Sequence, residues 1–307
     1  MIRGVCRREL ASMALIATPL QYEGLMVSYA GSAEDVMLRR FFGDQASGFF
    51  VDVGAHDPVV GSVTHHFALS GWQGINIEPL PAFFQRLVEA RPNDINLNVA
   101  VSQAFGTLDL IVNKTEPGLS TMTQELADGY ERAGHHLERI RVPTRPLADI
   151  VREHCADRTV DFLKVDAEGH ELEILRGVDL SVWRPRVVLI EAGYKPEVWA
   201  PILVNARYVL AGSDLWNRYY IRVEEEERAG LLRCPANVCD RYIAFDHARA
   251  LQARAEWESL GPLVRTMART LRRVMESSPR LKAIAKSVTR RFFPRLLRDS
   301  YGDGHSN

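Results

Sequence analysis

The chain has 307 residues, 46% of them apolar and 25% charged, with a formal net charge of -1. That length allows one large domain or one domain with appendages, and the apolar share is enough for a substantial core. The near-neutral balance removes any whole-molecule electrostatic case for nucleic acid.

In chain order, Arg3, Arg7 and Arg8 precede an apolar stretch from Met13 to Leu20. This imitates a signal peptide only faintly: Glu9 intrudes, the run is short and no small-residue cleavage site follows. No stretch reaches the roughly 20 apolar residues of a membrane span. Residues 1–27 are therefore expected to be an irregular N-terminal segment of a cytoplasmic protein. Residues 29–43, YAGSAEDVMLRRFFG, predict an amphipathic helix. Ser32 is its expected N-cap with Asp35 three residues on, Val36, Leu38, Phe41 and Phe42 give the apolar face, and Gly43 stops it.

A strand follows at Phe49–Val53 and empties into the turn Gly54-Ala55-His56-Asp57-Pro58, with a helix expected around Val60–Leu69. The strand Gly74–Glu78 closes at Pro79, a helix runs Pro81–Ala90, and further strands are expected at Ile95–Val101 and Thr107–Val112. Strand and helix in such close alternation argue for a parallel α/β sheet. Residues 113–140 carry Pro117, Gly118, Gly129 and Gly134 and read as a long polar loop, a candidate lid.

The pattern then resumes with a helix at Leu147–His154, a buried strand at Val160–Val165, a helix at Gly169–Arg176 and a buried strand at Arg186–Ile190. Short β-like runs at Arg207–Leu210, Arg218–Val223 and Arg241–Phe245 are expected to form an antiparallel edge. From Ala248 the composition shifts, and residues 264–298 hold eleven Lys or Arg against Glu276 alone. Residues 248–307 thus read as a basic amphipathic helical tail packing its apolar stripe on the domain. Peripheral contact with an anionic membrane surface is the alternative. Cys6, Cys155, Cys234 and Cys239 form no CxxC pair, which argues against a disulfide framework or structural zinc and for buried reduced thiols.

Acids end three predicted strands, at Asp52, Glu78 and Asp166, and Glu191 follows a fourth. In an open parallel sheet those ends share one edge, and ligands bind there where strand order reverses. Singly, Asp52 and Glu78 also fit turn-forming roles; their joint placement after adjacent strands points to a ligand. A carboxylate can accept two hydrogen bonds from a ribose, and the spacing from Asp52 to Glu78 fits either a dinucleotide or S-adenosylmethionine. A pyrophosphate wants a GxGxxG turn on a helix N-terminus. Here the turn has one glycine and a second acid, Asp57, whose charge favours a phosphate-free sulfonium. Asp166, Glu168, His170 and Glu191 have the chemistry to hold a divalent ion, but nothing in their spacing demands it, and no metal is expected.

The run FFVDVGAHDPVVGSVTHHFALSGWQGINIEPLPAFFQRL, followed by NVAVS, VDFLKVDAEGHELEILRGVDL and RPRVVLIEA, resembles the FkbM-like family of S-adenosylmethionine-dependent methyltransferases. SYAGSAEDVMLRRFF upstream and DLWNRYYI downstream are similar too, so the resemblance covers about Ser28 to Val223. It implies a class I methyltransferase fold, Rossmann-like, with a seven-stranded mostly parallel sheet flanked by helices, for a domain spanning 28–247. By motif position it implies that Asp52, Gly54, Ala55 and His56 line the methionine end of the cofactor. Glu78 with Pro79 would hold the ribose, Ala100 in the 98–102 segment would lie near the adenine, and Asp166 would face the transferred methyl group. The His56-Asp57-Pro58 sequence departs from the Asn-and-glycine turn of many members.

The implied reaction is O-methylation of a hydroxyl on a sugar or secondary metabolite. Asp166, His170 and Glu191 are the candidate bases, His170 because it titrates near neutrality. Of His65 and His66, one is expected at the site mouth and the other on the surface. A nicotinamide-dependent oxidoreductase on a similar sheet and a non-catalytic cofactor- or partner-binding relative are the alternatives.

Overall fold

The computed structural model describes residue 22, residues 24–155 and 158–259, and residues 261 and 266. Glu23–Tyr242 form one compact unit; Met1–Tyr22 with Ile243–Asn307 form another, whose described part is chiefly the helix Phe245–Ser259. The expected N-terminal segment up to residue 21 and all of the basic tail's 264–298 stretch except Thr266 lie outside the described residues. Among the described residues no helix is long and apolar enough to cross a membrane.

The larger unit is a mixed α/β fold. Its first helix, α1 (Glu34–Phe42), presents Met37, Leu38, Phe41 and Phe42 inward, all buried. Ser32 is not its cap: Ala33 holds the N-cap position at φ 59°. Asp35 turns back instead, accepting from Ser28 Oγ at 2.6 Å and from the Tyr29 N–H at 2.8 Å. Then come β1 (Phe49–Val53), α2 (His65–Leu69), β2 (Gln73–Ile77), α3 (Pro81–Ala90) and β3 (Ile95–Leu97).

The expected strand Ile95–Val101 is split. Asn98 breaks it, donating its Nδ2 to the carbonyls of Glu78 (2.9 Å) and Pro79 (3.1 Å), and the chain restarts as β4 (Ala100–Ser102) in a different sheet. β5 (Gly106–Asn113), containing the predicted Thr107–Val112 run, belongs to that second sheet too. The predicted 113–140 loop is largely ordered structure, holding α4 (Gln124–Arg132) and the start of β6 (Leu137–Pro146). Its polarity misled because α4 buries only Ala127 and β6 exposes alternate residues.

α5 (Leu147–His154), β7 (Phe162–Val165), α6 (Glu171–Arg176) and β8 (Val187–Glu191) follow. A helix absent from the sequence reading, α7 (Pro196–Asn205), comes next, hidden by Pro196 at its first turn and Pro201 inside it. β9 (Tyr208–Ser213) and β10 (Asn217–Arg222) complete the unit's main sheet; Tyr242–Ala244 is no part of it.

The main sheet has seven strands in the order β9-β10-β8-β7-β1-β2-β3, and β4-β6-β5 form the smaller one. Strands β8, β7, β1, β2 and β3 pair in parallel, while β10 runs against both of its neighbours. Both faces of the main sheet are covered, which explains its continuous apolar runs. Val51, Leu163 and Ile190 pack towards Leu147, Leu175 and Trp199, and Phe50, Phe162 and Leu189 pack towards Phe41, Phe67 and Trp72. Each fully buried side chain of this kind contributes about 1.5–3 kcal/mol.

Candidate active site

Strand order reverses between β1 and β7: the chain winds outward through β2 and β3, then crosses back to β7 and β8 on the other side. A crevice at the carboxyl ends of β1 and β7 is therefore forced by topology. A cavity of about 150 Å³ opens there. Asp52, Gly54, Ala55 and His56 line it from β1 and its turn, Glu78 and Pro79 from the end of β2, Ala100 from β4 and Asp166 from the end of β7.

The turn is built on Gly54. Its φ is 78°, and a Cβ there would collide with the Asp166 carbonyl oxygen, so glycine lets β1 and the loop after β7 touch. The N–H groups of Gly54 and Ala55 both donate to the Ile77 carbonyl, at 3.0 and 3.2 Å, folding the turn onto β2. His56 follows at φ 48°, and its N–H donates to Glu78 Oε2 at 2.8 Å; the Leu80 N–H donates to Oε1 at 2.7 Å. Burial pushes the Glu78 carboxyl up to about 7, although both backbone donors favour its charged form. The His56 ring lies 3.9 Å from that of Phe83, and its Nε2 is buried without a hydrogen-bond partner. Burial lowers its affinity for a proton.

Lys164, inside β7, was missed by the sequence reading. Its Nζ donates to the Gly54 carbonyl at 2.6 Å and stands 3.3 Å from Asp52 Oδ1 and 3.4 Å from Asp166 Oδ2. Burial opposes its charge, but Asp166 and Asp52 more than offset that and hold it protonated. A lysine in the apolar run VDFLKV was the available signal, because a buried charge must find partners. Asp52 is 1% exposed; its Oδ2 accepts from Thr64 Oγ1 at 2.9 Å, while Oδ1 faces Lys164 without a hydrogen bond.

Asp57 corrects an expectation. Its Oδ1 accepts from the N–H groups of Val59 and Val60, both at 2.9 Å, and its Oδ2 pairs with Arg86 at 2.5 Å. Its charge is answered locally by Arg86 rather than left facing a ligand. What disfavours a pyrophosphate is the distance along the chain to the next helix, α2, which begins only at His65 and offers no N-terminus at the turn.

Of the three candidate bases, Asp166 alone lines the cavity. His170 is the residue before α6; its Nε2 faces Ser102 Oγ at 3.4 Å, and burial lowers its pKa. Glu191 lies outside the lining but clusters with Asp166 and Glu168, an oxygen of each lying within 4.8 Å of the others. Burial, then Asp166 and Glu168, push Glu191 up to about 9; burial and Asp166 push Glu168 to about 7. This trio could hold a hard cation by the chemistry of its donors. Neither His65 nor His66 reaches the cavity: His65 is buried edge-on to Tyr29 at 4.4 Å, and His66 lies edge-on to Phe67 at 5.7 Å. Cys155 is buried as expected, whereas Cys234 and Cys239 are exposed.

Two comparisons bear on this geometry. Part of the chain is similar to "Methyltransferase sdnD" of Sordaria araneosa, 32% identical over 129 residues that cover 34% of this chain and 50% of that protein. The chain thus spans about half the length of the curated relative it matches. A family model described as "Methyltransferase FkbM domain" matches residues 52–215, more than half of the chain and all of the cavity's β1, β2 and β7 walls. The chain belongs to the FkbM methyltransferase domain family.

Proposed function

We propose that this chain is an S-adenosylmethionine-dependent O-methyltransferase of the class I, Rossmann-like arrangement, acting on a hydroxyl of a sugar or secondary metabolite. The observation that carries the reading is Glu78: a buried carboxylate at the end of β2, clamped by the His56 and Leu80 N–H groups beside a one-glycine turn. A carboxylate held there has lone pairs left for two vicinal hydroxyls. The strand order, with β10 alone reversed, supports the class I arrangement.

The residues present fit that cofactor. His56 Nε2 is a buried polar atom without a partner, it lines the cavity, and Gly54 removes the side chain that would fill the turn. Asp52, Gly54 and His56 would receive the amino-acid end, Glu78 the ribose, and Ala100 the adenine edge. The bound cofactor supplies a methyl group on a sulfonium, an electrophile that already carries its leaving group. The chain's part is to orient an oxygen nucleophile and remove its proton. Alignment is worth about 7–11 kcal/mol in favourable cases, and a positioned base about 10²–10⁴-fold in rate. Lys164 and Asp52 fix the floor on which this happens, since the ammonium ties the Gly54 carbonyl to both acids.

Calorimetric titration with S-adenosylmethionine, S-adenosylhomocysteine and NAD tests the reading. Micromolar binding of the two sulfur ligands and none of NAD is the expected result; NAD binding alone would overturn it. Cofactor-dependent addition of one methyl group, sought by mass spectrometry in a pool of hydroxylated small molecules, separates a working enzyme from a non-catalytic binder.

A further inference from the structure

The segment between β5 and β6 does more than cover the site. Thr121 is 1% exposed and exchanges two backbone hydrogen bonds with Ile111 of β5, at 2.8 and 3.0 Å, which fastens the segment to the smaller sheet. From that anchor it reaches the loop after β7 at three points. Thr121 Oγ1 donates to the Glu168 carbonyl at 2.5 Å, Thr123 Oγ1 to the Gly169 carbonyl at 3.0 Å, and Tyr130 Oη to Glu168 Oε2 at 3.2 Å. Glu168 itself sits at φ 49°, a left-handed conformation that a glutamate adopts only when its surroundings enforce it. Gly169 beside it is at φ 92°, and a Cβ there would crowd Thr123 and Leu126. The backbone of this loop is strained and held from outside.

The strain delivers one carboxylate to the cavity wall. Glu168 lines it, whereas His170 and Glu191 do not. The groups around Glu168 come from every neighbouring element: Tyr130 on α4, Lys164 and Asp166 at the end of β7, Glu171 on α6 and Glu191 on β8. Among the acids at the cavity end of β7, Asp166 already has the Lys164 ammonium at 3.4 Å. Glu191 stands back from the cavity, outside its lining. Glu168 lines the cavity, and its carboxylate and carbonyl are both held from the segment between β5 and β6, so it is the acid positioned to meet an acceptor.

We propose that Glu168 faces the transferred methyl group and takes the proton from the acceptor hydroxyl, with Thr121, Thr123 and Tyr130 as its positioning residues. This rests on the methyltransferase reading above. In the step, the acceptor oxygen bonds to the methyl carbon while the carbon–sulfur bond breaks and sulfur keeps its electron pair. The hydroxyl proton passes to a carboxylate oxygen of Glu168, and the resulting acid later loses it to solvent.

The test uses the full chain, Glu168→Gln and Tyr130→Phe, titrated calorimetrically at pH 8 with S-adenosylhomocysteine and with the analogue that carries an amine in place of the transferable methyl. These ligands differ only at the position Glu168 is proposed to face. The wild type should prefer the amine analogue by about tenfold or more, the effect of one charge-assisted hydrogen bond. Glu168→Gln should lose that preference while keeping its affinity for S-adenosylhomocysteine within about threefold. A preference unchanged in Glu168→Gln overturns the proposal. Should that variant not fold, Glu168→Asp, which keeps the acid and withdraws it by one methylene, should show the preference reduced, and an unreduced preference overturns the proposal equally. Where labelled methyl transfer to the hydroxylated pool is detected, Glu168→Gln should slow it about 10²–10⁴-fold, and Tyr130→Phe should move the acidic limb of the pH profile to higher pH, because the lost hydrogen bond favoured the ionised form. Transfer by Glu168→Gln within threefold of wild type sinks the base role. Failure of the wild type to bind either ligand overturns the cofactor reading and this proposal together, a pattern distinct from any of the others.

Discussion

Replacing Lys164 by Met tests whether the site floor is an electrostatic keystone. The Nζ lies 3.3 Å from Asp52 Oδ1 and 3.4 Å from Asp166 Oδ2, and donates to the Gly54 carbonyl at 2.6 Å. At an effective dielectric of about 20, each of those charge pairs has a gross attraction of roughly 5 kcal/mol. Methionine matches the length of the stem but leaves Asp52, 1% exposed, as an uncompensated buried carboxylate. Breaking a buried pair from one side costs about 3–5 kcal/mol, and a folding unit of this size loses about 2–4 °C in Tm per kcal/mol. A fall of roughly 10 °C in Tm, followed by circular dichroism at pH 7.5, is therefore expected. Adding Asp52→Asn should restore at least half of the loss, because the second substitution removes the orphaned charge. A single variant within about 1 kcal/mol of wild type, or a double variant showing the plain sum of two losses, would refute the reasoning.

Glu78→Gln should weaken S-adenosylmethionine binding about 10–100-fold in calorimetry while the chain stays folded, since one amide cannot accept at both oxygen positions. Gly54→Ala should abolish that binding and lower Tm, because its Cβ meets the Asp166 carbonyl and its φ is 78°; unchanged binding would exclude the close contact between the turn and the loop after β7. Stability should also depend on pH with an acid-favouring sign. Burial raises Asp35 and Glu78 from 3.8 and 4.5 to about 7 in the folded chain, so the native state binds protons more tightly than the unfolded one. Their contribution is full below about pH 4, is lost as pH rises through about 7, and is worth roughly 3 kcal/mol for Glu78 and roughly 4 kcal/mol for Asp35. Urea midpoints at pH 5.5 and 8 check this, and a higher midpoint at pH 8 would contradict it.

The parts of the molecule that the sequence displayed were those where one physical constraint dominates. FFVDV, VDFLKV and RVVLI are apolar on both faces because helices cover both faces of the sheet, and such runs are hard to mistake. The acids at their ends were visible for the same reason: polar residues begin where burial stops. Sheet membership was not visible, since β4 and β5 have the same alternation whichever sheet they join, and the break falls at Asn98, whose side chain bonds the Glu78 and Pro79 carbonyls far off in sequence. Pro196 and Pro201 masked α7, although the first sits where a helix tolerates it. Asp57 was given a role its charge suggested, but Arg86 from α3 answers that charge, a pairing between residues distant in sequence. His170 was singled out by its chemistry; at the start of α6 it faces Ser102, outside the cavity lining, a placement no spacing displays. Lys164 and Glu168 stood inside a quoted motif, yet their roles depend on partners in β1 and α4 that no spacing rule connects.

The smaller sheet has a further consequence. The chain enters it at β4 and leaves at the end of β6, and these two points lie side by side, Ala100 opposite Thr144 and Ser102 opposite Pro146. The excursion between them is closed at its base, and its apolar residues Leu110, Val112 and Val142 cluster with Leu80, just before α3, and with Phe83 of α3. A loop of chain with adjacent ends can change length without parting the strands it leaves, but this one is also fastened to the loop after β7 by Thr121, Thr123 and Tyr130. An exchanged excursion must therefore keep Thr121, Thr123 and Tyr130 for the loop after β7 to hold its conformation. Transplanting residues 103–143 between relatives is a direct way to ask whether acceptor choice travels with them.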